Sequence, residues 1–346
     1  LRISYSRLFP YNEMFRWLSY GNDPANNQPW IQKDFFARRE FSFTIEDDIY
    51  IRYQSFRDED ELRKMIQKRQ PFKIDIGAVF SVQPKDHATV KGGSFKPVER
   101  ELVFDIDLTD YDDIRTCCSG AGICGKCWQF MTMAIRVLDS ALRDDFGFRQ
   151  VVWVYSGRRG VHCWVSDPTA RALPNEARQA VVEYLSVVSA NENKGKKVDL
   201  SWPLHPSLMR AYEALLPLFE QHIITEEGQG LMASSDGWEK ILNTVPNEEL
   251  REKLHSRWSR ATDVSSPLEK WEEVVAEVHQ LAGKAGQMAA RRVSHTNTAT
   301  AAKRAKHSLA SLNVWKYETV FTFTYPRLDA NVSVGMNHLL KSPFCV

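Results

Sequence analysis

One seven-residue run, Leu102-Val103-Phe104-Asp105-Ile106-Asp107-Leu108, constrains this chain more than any other. Read as a strand, it puts Leu102, Phe104, Ile106 and Leu108 on one face and Asp105, Asp107 and Val103 on the other. The unbroken apolar face has to be covered, so the strand belongs to a sheet packed on a core, and its opposite face is left to carry charge. Two carboxylates two residues apart repel each other. A divalent cation between them removes that cost, and oxygen ligands suit Mg²⁺ or Mn²⁺. Two such ions can clamp the attacking and leaving oxygens of a phosphoryl transfer. An amphipathic strand with a solvated polar face accounts for the same spacing, so Asp-x-Asp alone does not decide between them.

A second local pattern lies downstream. Val151 to Tyr155 reads as a buried strand, Ser156-Gly157-Arg158-Arg159-Gly160 as a turn, and Val161 to Val165 as the returning strand. Two glycines around two arginines allow tight turning and close backbone approach to a ligand. Ser156 and the exposed amides can donate to phosphate oxygens, Arg158 and Arg159 can bind a triphosphate in bidentate fashion, and His162 sits where it can donate to the β- or γ-phosphate. A plain hairpin with a basic tip would look the same.

Between these segments lies Cys117-Cys118-x5-Cys124-x2-Cys127, which offers four thiolates, enough for one tetrahedral zinc. Gly120, Gly122 and Gly125 let the backbone bend so that adjacent cysteines both ligate. No position is left for water, so the expected zinc is structural. Clustered cysteines without a secretory leader favour metal ligation over a disulfide framework, and buried free thiols are the alternative. Trp128 to Phe146 reads as a helix with Met131, Ile135, Leu138 and Leu142 on one face.

The remainder frames this centre. Strands are expected at Phe41–Ile45, Ile49–Tyr53 and Phe72–Phe80, and helices over Asp58–Gln70 and Pro174–Val188. A polar break, Asn191 to Lys197, precedes a helical stretch running to about residue 290. Residues 291–311 form either a linker or an exposed helix, and 315–325 fit strand by alternation or helix by length. The net charge of +1 gives no bulk support to nucleic-acid binding, so phosphate contacts must come from local Arg and Lys clusters. No apolar run reaches 18 residues, so no membrane span is expected. Taken by spacing alone, Asp329 and Lys341 do not stand out.

In combination, these segments resemble one family, the small catalytic subunit of DNA primase, and its eukaryotic branch most closely. The segments are SRLFP (6–10), REFSFTIEDDIYIRYQSF (39–56), KIDIGAVF (73–80), ELVFDIDLTDYDD (101–113), CCSGAGICGKCW (117–128), WVYSGRRGVHCWV (153–165) and YPRLDANVSVGMNHLLKSPF (325–344). They run in the expected order over nearly the whole chain, and 186–310 matches only loosely. The resemblance implies a mixed α/β (α+β) primase fold with an RRM-like catalytic sheet, a zinc-binding motif and an inserted helical subdomain. Residues 1–185 would be the first part of the catalytic domain, 186–310 the helical subdomain and 311–346 the return. Asp105, Asp107 and Asp329 would bind the two catalytic ions. Ser156, Arg158, Arg159, His162 and Lys341 would hold the triphosphate, with Lys73 and Asp75 near the nucleotide, and Arg52 and Glu40 beside the cleft. Cys117, Cys118, Cys124 and Cys127 would ligate structural Zn²⁺.

The implied activity is DNA-dependent synthesis of RNA primers from ribonucleoside triphosphates by two-metal nucleotidyl transfer. The implied partners are the primase large subunit, the DNA polymerase alpha catalytic subunit, single-stranded DNA template and the RNA–DNA primer duplex; the implied location is the nucleus. Two departures stand out. Val334 occupies a position where a basic residue is expected, and the chain stops at Val346 just before an expected His-Pro step, as if shortened there. The rival expectations are a repair-type primase-polymerase and a non-catalytic zinc-containing nucleic-acid-binding subunit.

Overall fold

The computed structural model describes residues 1–20, 34–189, 196–260, 262–293 and 299–345. Trp30, most of the polar break at 191–197, and 294–298 within the alanine-rich stretch lie outside those residues. The chain is mixed α/β with antiparallel strand pairing, and it divides into two compact units.

The first unit comprises Leu1–Ile106, Gly147–Tyr184 and Leu328–Val346. Its strands are β1 (Arg39–Thr44), β2 (Tyr50–Gln54), β3 (Lys73–Phe80), β4 (Pro97–Glu99), β5 (Leu102–Asp107, whose last residue is counted with the second unit), β6 (Val151–Tyr155), β7 (Gly160–Val165) and β8 (Leu340–Lys341). One sheet runs in the order β2-β1-β3-β4, with β8 also paired to β3, and the other in the order β5-β7-β6. Alternation along β1 and β3 sorts the side chains. Phe41, Phe43, Ile74 and Ile76 enter a core with Tyr5, Met14, Leu18, Phe56, Leu62 and Ile66. The other face carries Glu40, Ser42 and Asp75, all nearly inaccessible to water. A sheet that buries acids on one face is unusual, because charged groups are rarely buried without partners. Helix Glu59–Arg69 supplies Leu62 and Ile66; the Asp58 carboxylate caps it by accepting from the Glu61 N–H at 2.9 Å.

The second unit comprises Asp107–Phe146 and Leu185–Arg327 and is helical. Helix Gly125–Asp144 starts three residues earlier than its apolar pattern indicated, because Cys124 and Cys127 act as N-cap and N3 of a capping box. It buries Met131, Leu138 and Leu142, but Ile135 only in part. Residues 315–324 belong to the helix Ala299–Thr324. Their alternating aromatics suggested a strand, but the segment is buried almost all round, which erases the usual one-sided stripe. Trp315 lies 5.9 Å from Trp271 between ring centroids, and Trp271 lies 4.9 Å from Phe219, so the three helices share one aromatic seam. No helix among the described residues is long and apolar enough to cross a membrane.

Candidate active site

Strand β5 buries Leu102, Val103, Phe104 and Ile106 and leaves Asp105 and Asp107 half-exposed. β5 lies next to β7, which brings His162 to Asp105: Nε2 is 3.5 Å from Oδ1. His162 is itself buried. Asp107, the last residue of the strand, accepts from the N–H and the hydroxyl of Thr109, both at 2.8 Å. Asp329 arrives from the far end of the chain. Its backbone N–H donates to the Asp105 carbonyl at 3.4 Å, and its carboxylate caps the short helix Ala330–Val334 by accepting from the Asn331 N–H at 3.0 Å.

The β6–β7 turn and β8 meet at a cation. Lys341 Nζ donates to the Ser156 carbonyl at 3.4 Å. Gly157 has a φ of +90°, and a Cβ there would lie 3.1 Å from that ammonium, so both the turn and the close approach call for glycine. Ser156 Oγ accepts from the Gly160 N–H at 3.1 Å, which fixes the loop. Arg158 is exposed at its tip and Arg159 half-buried.

Lys341 sits opposite Asp75 in the β3–β8 register. Asp75, 2% exposed, accepts from Ser42 Oγ at 3.0 Å and pairs with Lys73 at 3.1 Å. Two residues along β1 from Ser42, the buried Glu40 carboxylate takes two hydrogen bonds from Arg52 at 3.0 and 3.2 Å. Arg52 also reaches the Asn337 carbonyl at 3.4 Å. The β1–β2 register shifts between Phe41 and Phe43, and the displaced residue, Tyr53, has a φ of +58°. A bulky residue in that region is strained. Its N–H is held by Glu40 at 3.2 Å, so the same carboxylate secures the bulge and aims Arg52.

Arg39, Arg100, Glu101 and Arg178 carry no local pattern in the sequence, yet all four are buried. Arg100 donates to the Val332 and Gly335 carbonyls, both at 2.8 Å, and so pins the segment that carries Asp329 and Lys341. Burial, reinforced by Arg178, pushes the Arg100 guanidinium down to about 9. Arg178 in turn donates to the carbonyls of Leu173 and Glu101 at 2.8 and 3.1 Å. The only trace in the sequence is Glu99-Arg100-Glu101 abutting an apolar strand. His338 was also passed over; burial, and then the nearby Arg100, hold its imidazole below the usual value.

In the helical unit, the ligand atoms of Cys117, Cys118, Cys124 and Cys127 all lie within 4.8 Å of one another, the only such group of three or more His, Cys, Asp or Glu among the described residues. The Cys124 and Cys127 sulfurs are 3.9 Å apart. A tetrahedron of roughly 2.3 Å metal–sulfur bonds needs edges of about 3.8 Å, so the donor set fits a metal ion. The Cys127 backbone N–H at the helix N-terminus pushes the Cys124 thiol down to about 6, and a hydrogen bond to Cys124 pushes Cys118 up to about 12.

Among the described residues Asp105, Asp107 and Asp329 do not form a metal-sized group of this kind. The structure brings Asp105 to His162 on the strand that leaves the basic, glycine-bearing turn, and acidic and basic groups of that sort are the ones that the class of nucleotidyl-transfer sites uses. The sequence comparisons agree with that class. Residues 104–346 match the family model described as DNA primase small subunit. The chain is 42% identical over 350 residues to the DNA primase small subunit of Drosophila melanogaster, covering 100% of this chain and 73% of that protein. It is 39% identical to that of Schizosaccharomyces pombe, over 99% of this chain and 69% of the relative. It is 35% identical to that of Saccharomyces cerevisiae, over 99% and 76%. The chain belongs to the DNA primase small subunit family, on its eukaryotic side.

Proposed function

We infer that this chain is the catalytic subunit of a DNA primase, a nucleotidyltransferase that makes RNA primers for DNA replication. The observation that carries the reading is the match to primase small subunits along the whole chain, at 42% identity with one of them.

Asp105, Asp107 and Asp329 would hold two divalent ions, Mg²⁺ or Mn²⁺, which would supply Lewis-acid activation of a 3′-hydroxyl and neutralise charge on the pyrophosphate. The protein's own part is to position and to neutralise charge. Arg158, Arg159 and Ser156 receive the triphosphate from the β6–β7 turn, His162 faces it from β7, and Lys341 approaches from β8. In support, Lys341 already touches the Ser156 carbonyl. Asp75 holds Lys73 and stands opposite Lys341, keeping both cations at one sheet face. Glu40 aims Arg52 beside the cleft. The fold is read as the primase fold with an RRM-like catalytic sheet, and the cysteine quartet as structural Zn²⁺. The partners are the primase large subunit, DNA polymerase alpha, single-stranded template and the primer duplex; the location is nuclear.

The test is priming on single-stranded DNA with labelled ribonucleotides and Mg²⁺ or Mn²⁺, alone and with the large subunit. Short RNA products are expected. No product with the large subunit present would sink the reading, and a preference for deoxynucleotides would point to the repair type. Lys341→Ala is expected to weaken nucleotide binding by about 10–100-fold, since a charge-assisted bond to a phosphate contributes roughly 1.5–3 kcal/mol. The effect should appear in the KM for nucleotide, and an unchanged KM would remove Lys341 from the site.

The metal reading carries a pH dependence. Thiolates, not thiols, ligate, so zinc retention should fall as the pH drops and protons compete for sulfur. Chelation at neutral pH should lower the melting temperature of the helical unit. A melt unaffected by a strong chelator, in protein shown to have lost its zinc, would end the structural role.

A further inference from the structure

The cysteine quartet is gripped from outside by two buried side chains that the catalytic reading does not use. Gln229, 6% exposed, accepts from the Thr116 N–H through Oε1 at 2.7 Å and donates from Nε2 to Cys117 Sγ at 3.5 Å. Thr116 Oγ1 donates back to the Gln229 carbonyl at 2.6 Å. The loop carrying Gln229 is shaped for this. A Cβ at Gly228 would lie 2.1 Å from the His222 carbonyl oxygen, Gly230 has a φ of +68°, and the Gln229 N–H donates to the His222 carbonyl at 2.8 Å. Lys126, from within the cysteine motif, donates to the Glu226 carbonyl of the same loop at 2.8 Å.

Arg115 works from the other side. Its side chain is fully buried, and it donates to the Gly122 and Gly120 carbonyls at 3.0 and 2.9 Å. Its partner Asp112 accepts from the Gly120 N–H at 2.9 Å. The loop between Cys118 and Cys124 is therefore held in its bend by a guanidinium.

We propose that Gln229 and Arg115 are positioning residues of the metal centre. Gln229 orients the Cys117 sulfur and offsets its charge, and Arg115 preshapes the 118–124 loop so that four sulfurs converge. The inference rests on reading the quartet as a Zn²⁺ site. Its physical basis is charge: four thiolates around a dication leave a net charge of −2, which calls for donors close by. Only an amide suits position 229. Its oxygen takes the Thr116 N–H while its NH₂ faces sulfur; a carboxylate of the same shape keeps the first contact and turns the second into repulsion.

The experiment uses the zinc-loaded protein, a chromophoric chelator in competition, and cobalt substitution. Gln229→Glu is expected to weaken zinc affinity by about 10–100-fold, and Gln229→Met, which loses the donor without adding charge, by less. Arg115→Met is expected to slow zinc rebinding to the stripped protein. In cobalt-loaded protein, the sulfur-to-cobalt charge-transfer band should move to lower energy in both Gln229 variants, a shift that loosened packing alone would not produce. If the wild type holds no zinc, the four-thiolate reading fails and this inference with it. If the wild type holds zinc and Gln229→Glu matches its affinity within a factor of two with an unmoved band, the metal site stands and the role of Gln229 falls.

Discussion

Asp105→Asn is expected to reduce primer synthesis on the order of 10³-fold or more, equivalent to about 4 kcal/mol of transition-state stabilisation, while the protein stays folded. The substitution preserves shape and removes charge. Strand β5 keeps its buried residues Leu102, Val103, Phe104 and Ile106, and the Asp105 carbonyl still accepts from the Asp329 N–H. An amide oxygen can still face His162 Nε2, now 3.5 Å from the carboxylate. The carboxylate side chain is 31% exposed, so its replacement leaves no stranded buried charge, and the stability change should stay within about 1 kcal/mol. Primer yield measured beside a thermal melt separates the two effects. A folded Asp105→Asn protein that still makes primers would remove the metal role from this strand.

How far the candidate site was legible in the sequence depended on how local each signal was. Asp105 and Asp107 were legible because strand alternation is a two-residue pattern, and the β6–β7 turn because two glycines flank two arginines within five residues. The cysteine quartet was legible by spacing; that Cys124 and Cys127 also cap a helix was not. Asp329 and Lys341 were invisible to pattern and came only through family resemblance. Their segment is held by long-range contacts, such as Arg100 gripping Val332 across 232 positions, and no local periodicity records such a contact. The helix ending at Thr324 was ambiguous for a related reason. A segment buried on all sides has no polar face to reveal its period. Arg39, Arg100, Glu101 and Arg178 were passed over because charged residues ordinarily face water, whereas here they tie the core together.

That tie leads to the second large effect. Arg39→Met alone should cost about 3–5 kcal/mol, the usual penalty for removing one partner of a buried ion pair. Arg39 and Glu101 are both fully buried and joined by two hydrogen bonds of 2.9 Å; Arg39 also donates to the Gly77 carbonyl at 3.0 Å, and Tyr20 donates its hydroxyl to Glu101. Burial alone would raise the Glu101 carboxyl, but Arg39 overrides it and the net shift is downward. A carboxylate depressed in the folded state gives stability that is complete above its unfolded value, near 4.3, and is lost as the pH falls through the folded one. The double variant Arg39→Met/Glu101→Leu removes both charges and should recover most of the loss, together with that part of the acid sensitivity. Hydrogen exchange in β1 and β3, compared across the wild type, the single variant and the double variant, reads the effect within this unit. Arg39→Met with exchange protection unchanged would show that the pair is not what holds the sheet. The same pair bears on chemistry, because Arg39 precedes Glu40, which aims Arg52, and Glu101 precedes the strand that carries Asp105. Loosening it should therefore reduce primer synthesis even though neither residue touches the reacting groups.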